Sequence, residues 1–428
     1  MLDIKWVRQH KETIRTVAEQ KGIEVSIAEL LEWDDRRRHL LQETEHLRRR
    51  RNELSQRIGT LAANGGKDEA ERLKNGVKEI NAQLSVLESG LAEAEKMTAQ
   101  LAMLVPNIVS PDTPSGLSDK DNVEIRRWGE PPAFDFEPKD HVALGELHGI
   151  IDIPRGVKTA GTRSYFLKGA GALLHRAVQQ LALDLLAGRG FTLLEVPLTV
   201  RAEALANTGF FPLGEDQTYR MAGENKWLVG TSEVPLVDYY SGEIVDVSEP
   251  IRVMAASACF RSEVGSAGRD VHGLYRVHQF AKVEQVVICE NRPETAERLL
   301  REITQNAEDL LRLLELPYRV MSVCVGDMSQ KTYKQYDIET WMPSRGAYGE
   351  THSSSSLLDF QARRSNIRFR GEDGKLHYCY TLNNTAVATP RILIPLLEMH
   401  QEPDGAIRIP PALRKYMNGV ERLALPVV

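Results

Sequence analysis

The feature that most constrains this chain is a long stretch of helical periodicity near its amino terminus. Residues 27–104 contain no proline and carry two helical patterns separated by Asn64, Gly65 and Gly66. In the first pattern an apolar side chain returns every seventh residue, at Trp33, Leu40, Leu47, Leu54 and Leu61. In the second the spacing alternates between four and three residues, through Leu73, Val77, Ile80, Leu84, Leu87, Leu91, Ala94, Thr98 and Leu101. Such spacing predicts two helices packed as a hairpin.

The apolar stripe on each predicted helix is narrow. A stripe of this width buries one helix against one partner and leaves the remaining surface in water. We therefore expect an antiparallel coiled coil that stands out from the rest of the chain. At about 1.5 Å of rise per residue, limbs of about 35 residues would reach roughly 50 Å.

The water-facing side of the first predicted helix is unusually basic. Between Asp34 and Arg57 the sequence carries eight arginines against five acidic residues. Four of these arginines are consecutive: Arg48, Arg49, Arg50 and Arg51. Two interpretations stay open at this point. The face is either a solvated surface with ion pairs one turn apart, or a surface that follows the phosphates of a nucleic acid, which arginine forks suit.

Composition excludes several functional classes. The 428 residues are 42% hydrophobic and 27% charged with a formal net charge of −6, so no overall basic field marks a nucleic-acid binder. No run approaches the roughly 18 apolar residues of a membrane span, and residues 1–15 are too charged for a signal peptide. We therefore expect a cytoplasmic protein with no membrane partner. The four cysteines lie 30 or more residues apart, which predicts reduced structural thiols rather than a zinc site or a disulfide framework.

The helical period ends near residue 107, where a segment with several prolines begins. We place a domain boundary there, with residues 1–107 as an amino-terminal domain and residues 108–428 as a second domain. In the second domain several apolar β-like runs follow one another without a helix between them. That order favours an α+β fold with an antiparallel sheet over a doubly wound parallel one. Neither of the common glycine-rich phosphate loops is present, so a nucleotide would be held in another way.

A cationic loop at residues 259–280 indicates the chemistry of the second domain. Its sequence, CFRSEVGSAGRDVHGLYRVHQF, predicts a strand, a turn and a returning strand at 274–280. Two glycines allow the turn, Gly265 and Gly268. Arg261 can make a forked contact with a phosphate or carboxylate, Glu263 can accept from an amino group, and Phe280 can stack on a flat ring. These residues suit a nucleotide, although a hairpin of surface ion pairs around a core phenylalanine would use the same residue types.

Several stretches resemble the class II aminoacyl-tRNA synthetases and, most closely, the seryl-tRNA synthetase family. The runs FRSEVGSAGRD and RVHQFAKVE resemble motif 2. LLEVPLTV, which contains Pro197, resembles motif 1, and LNNTAVATPRILIPLLE, which carries Arg391, resembles motif 3. Residues 231–233 resemble the T-x-E element, and GTRSYFLKG and DFQARR resemble further stretches. The predicted hairpin resembles the tRNA-binding arm of the family, so the resemblance covers essentially the whole chain.

The resemblance implies a fold and a reaction. The fold is α+β, a class II synthetase catalytic domain built on an antiparallel sheet, with an antiparallel coiled-coil arm at about 27–104. The reaction joins L-serine to ATP as seryl-adenylate, releases pyrophosphate, and passes the seryl group to tRNA(Ser), with tRNA(Sec) as a second candidate acceptor. A homodimer with the segment around Pro197 in its interface is also implied.

The resemblance further implies roles for single residues. Arg261 would hold the α-phosphate and the substrate carboxylate, Glu263 the adenine side of ATP, and Arg391 the γ-phosphate from its helix; these are the implied catalytic residues. The implied ATP-binding set is Arg261, Ser262, Glu263, Val277, Phe280, Glu350, Thr351, His352, Ser353 and Arg391. The implied serine-binding set is Thr231 and Glu233 at the α-amino group, Arg261 at the carboxylate, and Glu284 and Thr385 at the hydroxyl.

Two further sites follow from the resemblance. Glu350 and Ser353 match the metal ligands of the family, and their hard oxygens suit Mg²⁺ that bridges phosphates. The basic face of the arm would bind tRNA, with its four consecutive arginines at the centre: Arg48, Arg49, Arg50 and Arg51.

Three departures from the family pattern leave other functions open. The chain reads ETHSSSS from Glu350 where the family commonly reads EISSCSN, and it reads NNTA from Asn383 where bacterial motif 3 starts with NGSG. Ala281 replaces an aspartate. The alternatives are a divergent second copy that resists a serine-mimicking inhibitor, a ligase that loads an amino acid onto a carrier protein, and a catalytically dead tRNA-binding regulator. The carrier ligase should lack the arm, and the regulator should have lost a residue such as Arg261; neither loss is seen.

Overall fold

The computed structural model describes residues 1–264 and 271–425. The chain divides into two compact units, residues 2–106 and the residues from 107 onward together with Met1. Gly265 and Gly268, where we expect a turn, lie outside the described residues. Within the described part, no helix is both long and apolar enough to cross a membrane.

The first unit is helical. Its helices are α1 (Ile4–Gln9), α2 (Lys11–Gln20), α3 (Ile27–Ala63) and α4 (Lys67–Leu104). Helix α3 begins where the hydroxyl of Ser26 accepts from the backbone amide of Glu29 at 3.1 Å. It ends before a turn in which Gly65 has a φ of +84°, a conformation that glycine adopts without strain. The predicted helical hairpin is therefore confirmed.

The seam between α3 and α4 contains a row of side chains that the apolar pattern did not reveal. Besides the predicted row from Trp33 to Leu61, a second row lies three residues earlier at each turn and is at least half-buried, at Leu30, Arg37, Thr44, Arg51 and Ile58. Because two members of this row are arginines, a search for apolar residues misses it. Arg51 is therefore only partly exposed, whereas Arg48, Arg49 and Arg50 are exposed.

The second unit combines helices with a large sheet. Its helices are α5 (His141–Leu147), α6 (Ile153–Ala160), α7 (Ala170–Ala187), α8 (Ala202–Asn207), α9 (Glu233–Asp238), α10 (Pro293–Leu313), α11 (Phe360–Ser365), α12 (Leu393–Met399) and α13 (Pro411–Arg414). Single turns of 3-10 helix occur at Asp119–Asp121, Val325–Asp327, Pro343–Arg345 and Lys415–Met417. Its strands are β1 (Val123–Trp128), β2 (Ile151–Asp152), β3 (Phe166–Leu167), β4 (Thr192–Leu193), β5 (Thr199–Val200), β6 (Trp227–Leu228), β7 (Ile251–Phe260), β8 (Gln279–Cys289), β9 (Tyr318–Ser322), β10 (Lys334–Met342), β11 (Ala347–Leu358), β12 (Arg368–Arg370), β13 (Leu376–Tyr378), β14 (Tyr380–Thr389), β15 (Ile407–Arg408) and β16 (Arg422–Leu423).

Eight of these strands form one sheet, in the order β1-β9-β10-β11-β14-β8-β7-β4. Neighbouring strands run antiparallel except β4 and β7, which are parallel. The α+β fold with an antiparallel sheet is therefore confirmed. The four cysteines are buried and free, which confirms the prediction of structural thiols.

Strand β8 shows how the sheet separates a core face from a functional face. Successive side chains of a strand point to opposite faces. Val283 and Val287 join the large core beneath α7, α10 and α12. Lys282 and Glu284 point the other way and line a cavity. The same alternation on β14 and β11 carries further polar side chains to this functional face.

Two local predictions need correction. The returning strand expected at 274–280 begins only at Gln279. Arg391 lies in the turn between β14 and α12, two residues before the helix, rather than in the helix itself. Polar residues in β11 and β14 mask their strand periodicity because they serve the functional face.

Candidate active site

One cavity of about 270 Å³ on the functional face gathers the residues that the sequence singled out. The predicted residues that line it are Thr231, Glu233, Arg261, Glu263, Val277, Phe280, Glu284, Glu350, Thr351, His352, Ser353, Thr385 and Arg391. They come from six separate parts of the second unit, and the pairing of β8, β11 and β14 brings most of them together.

Ser262 is the exception among the residues expected to contact ATP. It is not part of the cavity lining. Its hydroxyl donates to the backbone carbonyl of Asp216 at 2.6 Å, and its amide donates to the carbonyl of Gln217 at 3.1 Å. Through these two hydrogen bonds Ser262 links the end of β7 to the loop at residues 216–217.

Arg261 lies at the mouth of the cavity, directly after β7. Its side chain is exposed, and its guanidinium carbon sits 5.3 Å from the centre of the Phe280 ring. Among the described residues, the guanidinium makes only one hydrogen bond, a long one from Nε to the carbonyl of Gly230 at 3.4 Å. A cation with such loose contacts can turn its fork toward an anionic ligand at little cost.

Glu263 holds a strained backbone conformation, with a φ of +51°. Non-glycine residues in this region cost free energy and cluster at functional sites. Arg163 donates to the carbonyl of Glu263 at 2.8 Å, and Arg276 pairs with its carboxylate at 3.2 Å. Arg276 was not among the predicted site residues, although it stands in the RVHQF run beside two residues that were.

At the inner end of the cavity, Glu284 and Thr385 face each other across β8 and β14. The hydroxyl of Thr385 lies 3.4 Å from the Glu284 carboxylate. Lys282, two residues away on the same face, pairs with that carboxylate at 2.6 Å. Burial raises the pKa of the Glu284 carboxyl, and the Lys282 ammonium opposes this rise. A buried, partly compensated carboxylate beside a hydroxyl is suited to bind a small polar group.

A second buried carboxylate, Glu233, lies at the start of α9. One of its oxygens accepts from Lys331 at 2.6 Å, from Gln361 at 2.7 Å and from Asn383 at 2.9 Å. Lys331 also lies 3.8 Å from the centre of the Phe210 ring. Burial lowers the pKa of the Lys331 ammonium, and the Glu233 carboxylate opposes this.

The partners of Glu233 were missed by the sequence analysis. Lys331 and Gln361 are far from Glu233 in sequence, so no local motif links them. The one available signal was Asn383, because it occupies the same face of β14 as Thr385.

Glu350 and Ser353 lie on β11 at the other side of the cavity. Opposite Ser353 on β10 is Asp337, which hydrogen-bonds it. Burial and the nearby Glu350 carboxylate raise the pKa of Asp337 to about 8. Hard oxygens from a carboxylate and a hydroxyl fit Mg²⁺. Among the described residues, no group of three or more His, Cys, Asp and Glu side chains is arranged to hold a metal ion.

Thr351 and His352 line the cavity. The Thr351 hydroxyl and Nδ1 of His352 are hydrogen-bonded within the sheet, whereas Nε2 of His352 is buried without a hydrogen-bond partner among the described residues. The hydroxyls of Thr351 and Thr340 are 2.6 Å apart, and Nδ1 of His352 is 2.8 Å from the Thr351 hydroxyl. Burial lowers the pKa of His352 to about 3. His352 is therefore neutral near pH 7 and supplies no positive charge for a phosphate.

Arg391 is held by the part of the cationic loop that precedes β8. Its Nε donates to the carbonyl of Tyr275 at 3.0 Å, and Nη1 donates to the carbonyl of Glu350 at 3.1 Å. Its guanidinium carbon lies 4.4 Å from the centre of the Tyr275 ring, which also carries Arg345 at 4.3 Å. Two cations therefore lie against one aromatic ring, and one of them, Arg391, also comes within 3.8 Å of the Glu350 carboxylate.

Comparison with known proteins agrees with this geometry. Residues 217–400 match the family model described as tRNA synthetase class II core domain (G, H, P, S and T), and residues 1–109 match the seryl-tRNA synthetase N-terminal domain. The serine–tRNA ligase of Deinococcus radiodurans is 45% identical over 428 residues, covering 100% of both chains. The chain belongs to the seryl-tRNA synthetase family. Another family member, the serine–tRNA ligase of Listeria welshimeri, is 40% identical over 430 residues with the same complete coverage.

A solved structure of the same family has a similar fold. The seryl-tRNA synthetase of Pyrococcus horikoshii complexed with ATP superimposes with a TM-score of 0.90 at 36% identity, covering 100% of both chains. These full-length matches include both units of the chain. They support the family interpretation and not the resistant second copy or the carrier-protein ligase.

Proposed function

We propose that this chain is a serine–tRNA ligase that activates L-serine with ATP and transfers the seryl group to tRNA(Ser). The observation that carries the proposal is that one cavity brings together all of these groups. They are the weakly held side chain of Arg261, two buried carboxylates, a threonine hydroxyl and the two oxygen ligands of Glu350 and Ser353. One end of the cavity carries arginine side chains, which suit a triphosphate. The other end carries Glu233 and Glu284, each paired with a lysine, which suit a small zwitterion beside that triphosphate.

The first half-reaction needs no protein nucleophile. A carboxylate oxygen of serine forms a bond to the α-phosphorus of ATP, the bond from that phosphorus to the bridging oxygen breaks, and pyrophosphate leaves with the electron pair. Arg261 would hold the α-phosphate and the serine carboxylate together, and Arg276 and Arg391 would hold the outer phosphates. Rate enhancement of this kind comes from positioning and charge stabilisation.

Mg²⁺ would bind between Glu350 and Ser353 and would offset the charge of the phosphates when ATP is present. The protein's own contribution is to place these two oxygen ligands on one edge of β11 facing Arg391, whose guanidinium comes within 3.8 Å of the Glu350 carboxylate.

Serine would be recognised by the two buried carboxylates. Glu233 and Thr231 would receive its ammonium group, and Glu284 with Thr385 would meet its hydroxyl. A site that satisfies a hydroxyl with buried polar groups rejects an analogue that lacks it, because those groups are then left unpaired.

The wider role follows from this chemistry. The basic face of the arm would bind tRNA(Ser), and the protein would act in the cytoplasm, where charged tRNA is used.

We also propose a homodimer, because apolar side chains near motif 1 are exposed in the single chain, among them Leu193 and Leu198. Sedimentation of the purified protein at several concentrations tests this assembly.

The proposal predicts that the purified protein charges tRNA(Ser) with serine. In the presence of ATP and Mg²⁺, acid-gel analysis should show a slower-migrating, base-labile seryl-tRNA. Serine that stays unattached to tRNA while a carrier protein becomes acylated would contradict the proposal.

A second prediction concerns the hydroxyl pocket. Thr385→Ser should be tolerated because it keeps the hydroxyl that faces Glu284, whereas Thr385→Val leaves a buried carboxylate without this partner. A loss of about 1–3 kcal/mol corresponds to a rise in the serine KM of about 5- to 150-fold for the valine variant. Serine-dependent pyrophosphate exchange measures the effect. If the valine variant matches the wild type, the substrate hydroxyl is not recognised by Thr385.

A further inference from the structure

A buried histidine outside the cavity lies between two elements of the candidate site. His141 is the first residue of α5 and is 3% exposed. Its Nδ1 lies 2.8 Å from a carboxylate oxygen of Glu398 in α12, which also accepts from the backbone amide of His141 at 3.0 Å. Glu398 further accepts from the amide and the hydroxyl of Ser344, at 2.9 and 2.8 Å. The carboxylate is thus a fixed anchor within the core.

The other ring nitrogen of His141 holds the part of the cationic loop that precedes β8. The backbone amide of Leu274 donates to Nε2 at 3.2 Å. A backbone amide can only donate, so Nε2 accepts and the proton of the ring sits on Nδ1, where it is donated to Glu398. Both ring nitrogens are engaged, and the imidazole links Glu398 to Leu274 in one defined orientation.

Leu274 is the first of four consecutive residues that line the cavity, from Leu274 to Val277. This segment precedes β8, whose sheet pairing starts at Gln279. The positions of two cationic side chains of the site depend on this segment. Arg276 belongs to the segment itself, and the carbonyl of Tyr275 accepts from Nε of Arg391 at 3.0 Å.

We propose that His141 is a positioning residue for nucleotide binding, which fixes the segment 274–277 so that Arg276 and Arg391 face the phosphates. The inference rests on the proposed function for the identity of the nucleotide, ATP. The amino-acid end of the cavity, with Glu233 and Glu284, contacts neither His141 nor this segment in the hydrogen bonds and ion pairs of the described residues. Removal of the hydrogen bond to Leu274 should therefore weaken binding of ATP and spare serine.

The absence of a side chain at Gly273 supports the close approach of His141 to the backbone at residues 273–274. Its φ is +61°, and a Cβ atom at this position would lie 2.0 Å from Nε2 of His141. Only glycine leaves room for the imidazole to reach the next amide along the chain.

Two substitutions separate the two bonds of His141. In His141→Asn the side-chain amide nitrogen can replace Nδ1 and keep the bond to Glu398, but no atom reaches Leu274. In His141→Gln the longer side chain places an amide oxygen where Nε2 stood, so it can accept from Leu274. We expect His141→Asn to raise the KM for ATP about tenfold in serine-dependent pyrophosphate exchange, with the serine KM within about twofold of the wild type. His141→Gln should restore most of the ATP affinity.

The controls keep the result interpretable. His377→Asn changes a histidine of β13 that lies outside the cavity lining, hydrogen-bonded to Asp373 at 2.9 Å, and should leave both KM values unchanged. Gly273→Ala should displace the imidazole from the opposite side and reproduce the ATP-specific defect. The inference is overturned if the Asn and Gln variants behave alike, or if both KM values rise together. A wild-type protein without serine-dependent exchange would instead refute the proposed function, so the two failures are distinguishable.

Discussion

Arg261→Ala is expected to lower serine-dependent pyrophosphate exchange by about 100- to 1,000-fold, the effect of removing a donor aimed at a developing charge. The other cations deep in the cavity are already engaged, Lys282 by Glu284 and Lys331 by Glu233. No neighbouring group can therefore replace the guanidinium fork between the α-phosphate and the serine carboxylate.

Two further variants complete this experiment. Arg261→Lys keeps the charge without the fork and should recover only part of the activity. Arg301→Ala removes an exposed arginine of α10, paired with Glu297 at 3.1 Å, and should leave exchange unchanged. Exchange by Arg261→Ala within tenfold of the wild type would remove Arg261 from the role we assign to it.

Shortening the arm is expected to abolish charging of tRNA while sparing activation of serine. The structure shows where to cut. Removal of residues 27–104 would delete Ile27 and Leu30, which belong to the small core of the first unit. Leu40 and Gly90 face each other across the hairpin, because a Cβ atom on Gly90 would lie 3.6 Å from Cδ1 of Leu40. Deletion of residues 41–89 with a short glycine linker therefore keeps the base of the arm.

The shortened protein should retain serine-dependent exchange within a few-fold of the wild type, because every activation residue named above lies in the second unit. Its charging of tRNA(Ser) should fall by at least about 100-fold, since several tRNA phosphates would be left without a cationic partner. Equal charging by the shortened and full-length proteins would mean that the arm does not bind tRNA.

A finer variant tests the basic face itself. Arg48 pairs with Glu88 of α4 at 2.8 Å, and Arg51 lies in the seam, whereas Arg49 and Arg50 are exposed. The double variant Arg49→Gln with Arg50→Gln should weaken tRNA binding and flatten its salt dependence by about one unit of slope for each phosphate that is no longer neutralised. The matched control removes two exposed lysines of α4, Lys74→Gln with Lys78→Gln. If the salt dependence of tRNA binding is unchanged in the arginine variant, Arg49 and Arg50 belong to a solvated surface that does not contact tRNA phosphates.

The sequence predicted those parts of the molecule whose pattern is local. The hairpin follows from a seven-residue apolar repeat and a glycine turn, and the antiparallel sheet follows from successive β-like runs. The site residues of motif 2 and motif 3 likewise lie in short runs, which is why the resemblance to the family could assign roles to Arg261, Glu263 and Arg391.

The parts that the sequence could not predict depend on contacts between distant segments. Lys331 meets Glu233 across 98 positions of the chain, and His141 meets Leu274 across 133. Neither pair leaves a spacing that a motif could capture. The partial burial of Arg51 was missed for a different reason, because a charged residue within a heptad pattern looks like a surface residue until the partner helix is present.

The central claim is that this cavity selects and activates serine, and amino-acid-dependent pyrophosphate exchange by the wild-type protein tests it most directly. The assay compares serine with alanine, which lacks the hydroxyl, and with threonine, which adds a methyl group beside it. We expect exchange with serine to exceed exchange with alanine by at least about 100-fold, because alanine gives Glu284 and Thr385 no hydroxyl to bind. Equal exchange with alanine, or no exchange with serine, would contradict the account.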